Sequence, residues 1–211
     1  MTYRIFKRIA DLIIAGAALI LLAPLMAAAA VAVRVSMGSP VLFRHPRPGL
    51  HEEVFECLKF RTMISERDAS GALVSEMNRL TPLGRFMRRT SLDELPQLWT
   101  VITGKMSLVG PRPLEVRYLQ RYTTEQRRRH SVMPGITGWA QINGRNAIDW
   151  DRKLGLDLWY VDHCNLALDF KILAITGWKV LTGAGVARAG QVSMDEFWGI
   201  QQPAKGSIRN V

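Results

Sequence analysis

The feature that most constrains this chain is an uncharged, apolar run from Leu12 to Val33. Its 22 residues would form a helix about 33 Å long, which is enough to cross the hydrocarbon core of a bilayer. The run exceeds the apolar part of a cleaved signal peptide, which has about 7–15 residues. The sequence therefore predicts a membrane helix near the N-terminus.

Two features argue against a simple crossing. Pro24 lies near the middle of the run, where it removes a backbone hydrogen bond and kinks or breaks a helix. Basic residues flank the run on both sides, although positive flanks favour the cytoplasmic side: Arg4, Lys7 and Arg8 precede it, and Arg34, Arg44 and Arg47 follow it. A re-entrant helix-break-helix that enters and leaves by the cytoplasmic face satisfies both observations, and a kinked single-pass helix is the alternative.

Beyond Arg34 the composition is that of a soluble domain, and no linker divides it. We therefore expect two regions, a membrane segment over 1–35 and a cytoplasmic-face globular domain over 36–211. The net charge of +10 favours an anionic partner, such as lipid headgroups or phosphorylated small molecules. Nucleic acid is disfavoured because no binding motif is present. Cys57 and Cys164 form no CxxC pair, which favours reduced thiols over a disulfide.

The pattern after residue 36 predicts a mainly α fold with one small β-hairpin. Val41–Phe43 and Val54–Phe60 read as its strands, with a turn at Pro46–Gly49. Four helices are expected later in the chain, whereas Gln141–Arg145 is expected in a loop. The helices are predicted over Leu114–Tyr122, Glu125–His130, Ile148–Cys164 and Leu168–Leu181.

Familiar catalytic motifs are absent from the sequence: it contains no GxxxxGK[ST], GxGxxG, HExxH or GxSxG. Asp149-Trp150-Asp151 has the DxD form that many metal-dependent glycosyltransferases use. Two acids within three residues are common by chance, so an ordinary helix start with acids in its first turn is the favoured interpretation.

A stronger signal is the segment TSLDELPQL, which contains Asp93 and Glu94. Ser91 with Glu94 three residues later fits a capping box, which is the structural interpretation. Pro96 favours the first helical position and would place both acids just before a helix. Cations occur just before the pair and in other segments of the sequence, at Lys59, Arg61, Arg85, Arg88, Arg89, Arg112 and Arg145. Acids among rigidly presented cations suit phosphoryl chemistry with Mg²⁺.

Five blocks of the sequence together resemble the bacterial sugar transferases, specifically the monotopic polyprenyl-phosphate phosphoglycosyl transferases. The blocks are SPVLFRHPRPG at 39–49, KFRTM at 59–63, SLDELPQL at 91–98, GKMSLVGPRP at 104–113 and PGITGWAQINGR at 134–145. The chain is especially similar to the member that starts bacterial N-linked glycan assembly, through RNAI-x-W at 145–150 and GQ at 190–191.

The resemblance implies a re-entrant N-terminal helix and a ping-pong transfer of a phosphosugar. The donor would be a UDP-sugar, the acceptor polyprenyl (undecaprenyl) phosphate in the membrane, and the products UMP and a lipid-linked sugar. An N-acetylated amino sugar is implied, with a diacetamido-trideoxyhexose as one candidate. Asp93 would be the nucleophile and Glu94 its neighbour, both at Mg²⁺. Lys59, Arg88, Arg112, Gln141, Arg145 and Asp157 would bind substrate.

Two positions depart from the family pattern: Ala23 replaces a serine before Pro24, and Lys105 replaces an aspartate. Two other functions stay open on the sequence alone. A metal-dependent glycosyltransferase would move the sugar alone and release UDP. A cationic membrane-binding or scaffold protein would use its acid pair only to cap a helix and would turn over no UDP-sugar.

Overall fold

The computed structural model describes residues 2–65, 75–144, 148–182 and 196–199 of the 211-residue chain. Helices dominate, so the prediction of a mainly α protein with a small β-hairpin and an apolar N-terminal helix is confirmed. The helices are α1 Thr2–Met37, α2 Glu76–Arg79, α3 Pro82–Thr90, α4 Gln97–Ile102, α5 Thr124–Arg127, α6 Trp139–Ile142, α7 Trp150–His163 and α8 Leu166–Thr182. The strands are β1 Leu42–Pro48, β2 Val54–Phe60, β3 Ser107–Val109 and β4 Gly135–Thr137.

The hairpin pairs β1 with β2 in antiparallel register from Leu42 opposite Phe60 to Pro48 opposite Val54. The predicted turn at Pro46–Gly49 is wrong, because both prolines lie within β1 and the chain reverses over Leu50–Glu53. A two-stranded sheet leaves one side of each strand unpaired, which is where proline is tolerated. Arg47 therefore lies on a strand rather than in a turn.

One stripe of α1 packs against the rest of the protein over the full length of the helix. Its members recur every three or four residues, as one helix face requires: Asp11, Ala15, Ala18, Leu22, Met26, Ala29, Val33 and Met37. The first half of the stripe joins the main core, and the second half packs with Phe60 and Met87. Large apolar side chains elsewhere on α1 are exposed, including Ile20 at 80 % and Leu21 at 78 %.

Pro24 lies inside α1, which continues as one helix on both sides of it. A proline removes a single backbone donor, so the hydrogen bonds of the flanking turns can still hold the helix together. The break that the sequence predicted at Pro24 is therefore absent from α1. The re-entrant course through a bilayer stays a prediction.

Polar side chains at the start of α1 bond to the domain. Arg8 donates to the carbonyls of Val101 and Ile102, at 2.6 and 2.9 Å, and so satisfies the C-terminal end of α4. The buried carboxylate of Asp11 accepts the backbone N–H of Leu108 in β3 at 3.1 Å. These bonds make the membrane helix a structural part of the domain.

A short parallel pair that the sequence did not predict joins β3 to β4, with Ser107 opposite Gly135 and Val109 opposite Thr137. Glycine permits the close approach just beyond β3, since a Cβ on Gly135 would lie 2.1 Å from the Gly110 nitrogen. The Gly135 N–H also donates to the Pro111 carbonyl at 3.1 Å. The GPRP and PGITG blocks are therefore neighbours in space.

The four later helices lie where they were predicted. Val116–Arg121 and Arg128–His130 form 3₁₀ turns around α5, and α7 and α8 match the two longer helices. A segment near the C-terminus, Glu196–Gly199, inserts Phe197 among Tyr118, Tyr122 and Trp150. The Gly190-Gln191 pair lies outside the described residues.

Candidate active site

The acidic pair lies on a sharp turn between α3 and α4. Ser91 ends α3 in the left-handed conformation, with φ of 58°, and Leu92–Glu94 form a 3₁₀ turn. Pro96 immediately precedes α4, so the acids lie before a helix as predicted. The capping-box interpretation is wrong, because the Ser91 side chain makes no capping bond and the Glu94 carboxylate bonds to cations instead.

Two cations hold both carboxylate oxygens of Glu94. Lys59 Nζ donates to Oε1 at 2.6 Å, and Arg112 donates to Oε1 through Nη2 and to Oε2 through Nη1 at 3.3 Å. Burial alone would favour the protonated acid, but Arg112 and Lys59 outweigh it and hold the pKa of Glu94 well below its usual range. Glu94 is therefore an anion at neutral pH.

Asp93 is the contrasting member of the pair. Asp93 is only 7 % exposed, and its carboxylate has no hydrogen-bond partner among the described residues. Burial and the negative charge of Glu94 raise the pKa of Asp93 to about 6, although Lys59, Arg112 and Arg88 partly oppose the rise. A carboxylate with this pKa is ionised at neutral pH, more basic than usual, and free to form a new bond.

Lys59 and Arg88, whose charges both act on Asp93, lie on separate elements. Lys59 lies near the end of β2, on the same hairpin face as Phe43. Arg88 lies exposed on α3 and donates through Nε to Thr62 Oγ1 at 3.1 Å. Helix α3 can approach the segment just after β2 because residue 84 of the helix is a glycine. A Cβ on Gly84 would lie 1.9 Å from the Thr62 carbonyl oxygen. The KFRTM and SLDELPQL blocks are thus brought together.

Asp157 is fully buried and does not touch the acids. Its Oδ2 pairs with Arg129, at 2.7 Å from Nη2 and 3.2 Å from Nε. Lys153 lies four residues before Asp157 on α7, and its positive charge also acts on the Asp157 carboxylate. Arg129 was not identified from the sequence, where it is one of three consecutive arginines without a motif to single it out.

Gln141 lies in α6 rather than in the predicted loop, and its Nε2 donates to the Ile136 carbonyl at 2.7 Å. Arg145 lies outside the described residues. The Asp149 carboxylate accepts the Arg152 N–H at 2.7 Å and caps α7, which supports the favoured helix-start interpretation of the DxD sequence.

Two further cations near the site were not identified from the sequence. Arg47 shares its hairpin face with Cys57 and Lys59, and the strand alternation could have shown this if β1 had been assigned correctly. Burial lowers the pKa of Arg47, and the positive charge of Arg112 contributes. Burial likewise lowers the pKa of Lys153 to about 8, again with a contribution from Arg112. The site is thus more cationic than its motifs suggested.

The acid pair suits a magnesium ion that also binds substrate. Among the described residues no group of three or more His, Cys, Asp or Glu side chains could hold a metal ion. Mg²⁺ often takes only one or two protein carboxylates and completes its octahedral shell with water and substrate phosphates. Asp93, with its unbonded oxygens, and Glu94 beside it fit that mode.

Comparison with known sequences gives the family. The profile described as bacterial sugar transferase matches residues 2–183. This chain belongs to the bacterial sugar transferase family. The predicted family is therefore confirmed, and with it the enzyme class of a sugar transferase.

Several curated bacterial sugar transferases are similar to the chain. The uncharacterized sugar transferase EpsL of Bacillus subtilis is 54 % identical over 79 % of this chain and 83 % of its own. The UDP-glucose:undecaprenyl-phosphate glucose-1-phosphate transferase of Escherichia coli is 40 % identical over 83 % of this chain. The undecaprenyl-phosphate galactose phosphotransferase of Salmonella typhimurium is 37 % identical over 86 %. The chain spans only 40 % and 42 % of the latter two. The predicted N-glycan subtype stays a prediction.

Proposed function

We propose that this protein transfers a sugar phosphate from a UDP-sugar to polyprenyl phosphate and releases UMP. The observation that carries the proposal is the asymmetry of the acid pair. Glu94 has both oxygens engaged by Lys59 and Arg112, whereas none of the described residues forms a hydrogen bond with the Asp93 carboxylate. Relatives whose names specify undecaprenyl-phosphate glucose or galactose phosphotransfer support this reaction.

In the first step an Asp93 oxygen attacks the phosphorus that bears the sugar. A bond forms between that oxygen and phosphorus, and the bond from phosphorus to the bridging oxygen breaks, so that oxygen leaves with UMP. In the second step a phosphate oxygen of the lipid attacks the same phosphorus and releases the Asp93 carboxylate. Two displacements of this kind divide one difficult step into two easier ones.

Cations around the acids lower the repulsion between the carboxylate and the pyrophosphate. Lys59 and Arg112 are positioned by Glu94, and a guanidinium has five N–H donors, so Arg112 has donors beyond the two bonded to Glu94 that can reach phosphate oxygens. Mg²⁺ held by Asp93 and Glu94 would neutralise part of the pyrophosphate charge when bound. We therefore expect chelation by EDTA to stop UMP release and added Mg²⁺ to restore it.

The membrane acceptor can be expected from the side of α1. Met87 on α3 packs with Val33 of α1, while its neighbour Arg88 is exposed and close enough to influence Asp93. A lipid phosphate at this edge would meet Arg88 beside the nucleophile. The carboxylate would thus lie between a donor bound at Arg112 and an acceptor that arrives from the bilayer.

The contacts of α1 support a monotopic arrangement. Near its start, Tyr3 and Lys7 bond to Asp169 at 2.9 and 2.7 Å. Just beyond its end, Arg61 donates to the Gly38 and Ser39 carbonyls at 3.1 and 3.0 Å. A helix that is tied to one domain near both ends would keep both ends on the same face of the membrane. The basic flanks favour the cytoplasmic face.

The experiment is UMP release by the purified protein over a panel of UDP-sugars, with and without undecaprenyl phosphate. The panel includes UDP-glucose, UDP-galactose, UDP-N-acetylglucosamine and a UDP-diacetamido-trideoxyhexose; we propose an N-acetylated amino sugar as the preferred donor. Without lipid we expect about one equivalent of UMP per site and a matching mass increase on the Asp93 peptide. Both signals should vanish in Asp93→Asn.

Each competing function gives a different result in the same assay. Release of UDP would indicate a metal-dependent glycosyltransferase. No turnover of any UDP-sugar would indicate a membrane-binding or scaffold protein. UMP that appears only with the lipid, without a trapped adduct, would indicate direct transfer and leave Asp93 a metal-binding or positioning role.

A further inference from the structure

Arg129 forms a buried bridge between α7 and the loop that carries Arg112. The side chains of Arg129 and Asp157 are 1 % and 2 % exposed. Arg129 Nη2 donates both to Asp157 Oδ2 and to the backbone carbonyl of Arg112, each at 2.7 Å. Nε adds a second bond to Asp157 at 3.2 Å. One guanidinium thus fixes a loop carbonyl relative to a long helix.

The carbonyl that Arg129 holds belongs to a constrained stretch of backbone. Arg112 lies between Pro111 and Pro113, so the φ angles on both sides are preset. The Pro111 carbonyl accepts the Gly135 N–H at 3.1 Å, and the next carbonyl accepts Arg129. Two consecutive carbonyls are therefore fixed, which sets the direction in which the Arg112 side chain leaves the loop.

We propose that Arg129 is a positioning residue for the transfer reaction. Held by Asp157, it fixes the Arg112 backbone so that the Arg112 guanidinium meets both Glu94 and the phosphates of the UDP-sugar. Asp157, which the family resemblance placed among the substrate-binding residues, acts here through Arg129 without touching substrate. The inference rests on the proposed function, because Arg112 matters to this reaction only if the site handles a UDP-sugar.

Arginine is needed in this role because a single nitrogen, Nη2, donates hydrogen bonds to two different groups. Nη2 carries two hydrogens, one for Asp157 and one for the Arg112 carbonyl, while Nε fixes the plane of the group. A lysine offers a point charge without that fixed plane. Buried ion pairs contribute little to stability relative to apolar residues of the same volume, which leaves orientation as the benefit of this pair.

The test is a double-mutant cycle on kcat/KM for UMP release, with Arg129→Lys, Arg112→Lys and the double variant. Residues that act through one another give non-additive effects. We expect Arg129→Lys to reduce kcat/KM about tenfold, mainly through KM for the UDP-sugar, and the double variant to fall within about twofold of Arg112→Lys. Losses that multiply in the double variant would overturn the inference.

Arg128→Lys is the matched control. Arg128 is the neighbouring arginine on the same turn, but it is exposed and pairs with Glu125 and Asp162. We expect it to keep the activity of the unmodified protein. If Arg129→Lys does not fold, the same cycle is run with Asp157→Asn, which keeps the size of the side chain while weakening its hold on Arg129. Multiplicative losses there would equally overturn the inference.

A binding measurement separates this inference from the proposed function. Titration calorimetry with UDP requires no turnover, and we expect Arg129→Lys to bind UDP about tenfold more weakly than the unmodified protein. Unchanged UDP affinity would overturn the positioning role even in an active enzyme. An unmodified protein that releases no UMP from any UDP-sugar would overturn the proposed function, and the inference would fall with it.

Discussion

Arg112 and Glu94 face each other as a fork against a carboxylate, with Arg112 Nη1 3.3 Å from Oε2 and Nη2 bonded to Oε1. This pairing gives the two neighbouring acids different acidities. It holds the pKa of Glu94 below its usual range, whereas burial raises that of Asp93 to about 6. Pairs of titratable groups driven apart in this way often divide catalytic roles.

Replacement of Arg112 by lysine should impair activity without unfolding the protein. Arg112→Lys keeps the charge but loses the fork, and a lost charge-assisted bond costs about 1.5–3 kcal/mol, or roughly ten- to a hundredfold in kcat/KM. We expect little change in melting temperature. Arg117→Lys is a control, since Arg117 is about half exposed and pairs with Glu115 and Glu196. Full activity in Arg112→Lys would contradict the role of the fork.

The rate of the first step should depend on the ionisation of Asp93. Only the carboxylate attacks, so the single-turnover release of UMP should rise with pH up to about 6 and level off above it. Below that value we expect a fall of about tenfold per pH unit. Quenched-flow measurement without lipid acceptor isolates this step. A flat profile between pH 5 and 8 would contradict attack by a carboxylate with this pKa.

Asp93 should also reduce the stability of the protein at neutral pH. The pKa of Asp93 is higher in the folded state than its ordinary value of 3.8. Protonated Asp93 is therefore compatible with the fold below about pH 4, and the free energy of unfolding falls as the carboxyl ionises with the pH rising through about 6. Asp93→Asn should therefore stabilise the protein by about 1–3 kcal/mol at pH 8. The gain should disappear near pH 4. Thermal denaturation across this pH range measures it.

Glu94 should have the opposite effect on stability: its carboxylate should stabilise the folded protein at neutral pH. Its folded pKa is depressed, so its contribution to stability is present above the unfolded pKa and is lost as the pH falls toward the folded value. Glu94→Gln leaves Lys59 and Arg112 uncompensated, and we expect a loss of about 1–3 kcal/mol at pH 8, less than for a fully buried pair. Equal shifts of melting temperature in Glu94→Gln and Asp93→Asn would refute the asymmetry.

The N-terminus should lie on the same side of the membrane as the domain. Thr2→Cys, in a background with Cys164→Ser, should resist a membrane-impermeant maleimide until the cells are permeabilised. Gly155→Cys, on an open part of α7, is the control for the domain side. Labelling of residue 2 while residue 155 stays protected would show a spanning helix. Pro24→Ala should favour that spanning form, because it restores the missing backbone donor.

Local sequence signals predicted much of the fold correctly. The apolar run predicted α1, the alternating run at Val54–Phe60 predicted β2, and helical spacing predicted α7 and α8. The position of the hairpin turn was missed because both prolines were interpreted as turn residues, and the β3–β4 pair because three-residue strands carry little pattern. Helices and strands of useful length repeat their burial pattern along the chain, which is why the sequence reveals them.

The sequence by itself determined the family, through the order of its motif blocks, and with it the acid pair and its cations. Only the tertiary structure decided which acid is bonded to cations and which has no hydrogen-bond partner among the described residues. Lys59 and Arg112 reach Glu94 from 35 and 18 positions away along the chain, and Arg129 reaches Asp157 from 28. The pKa of a carboxyl depends on burial and on charges within a few ångströms, and neither is fixed until distant elements pack together.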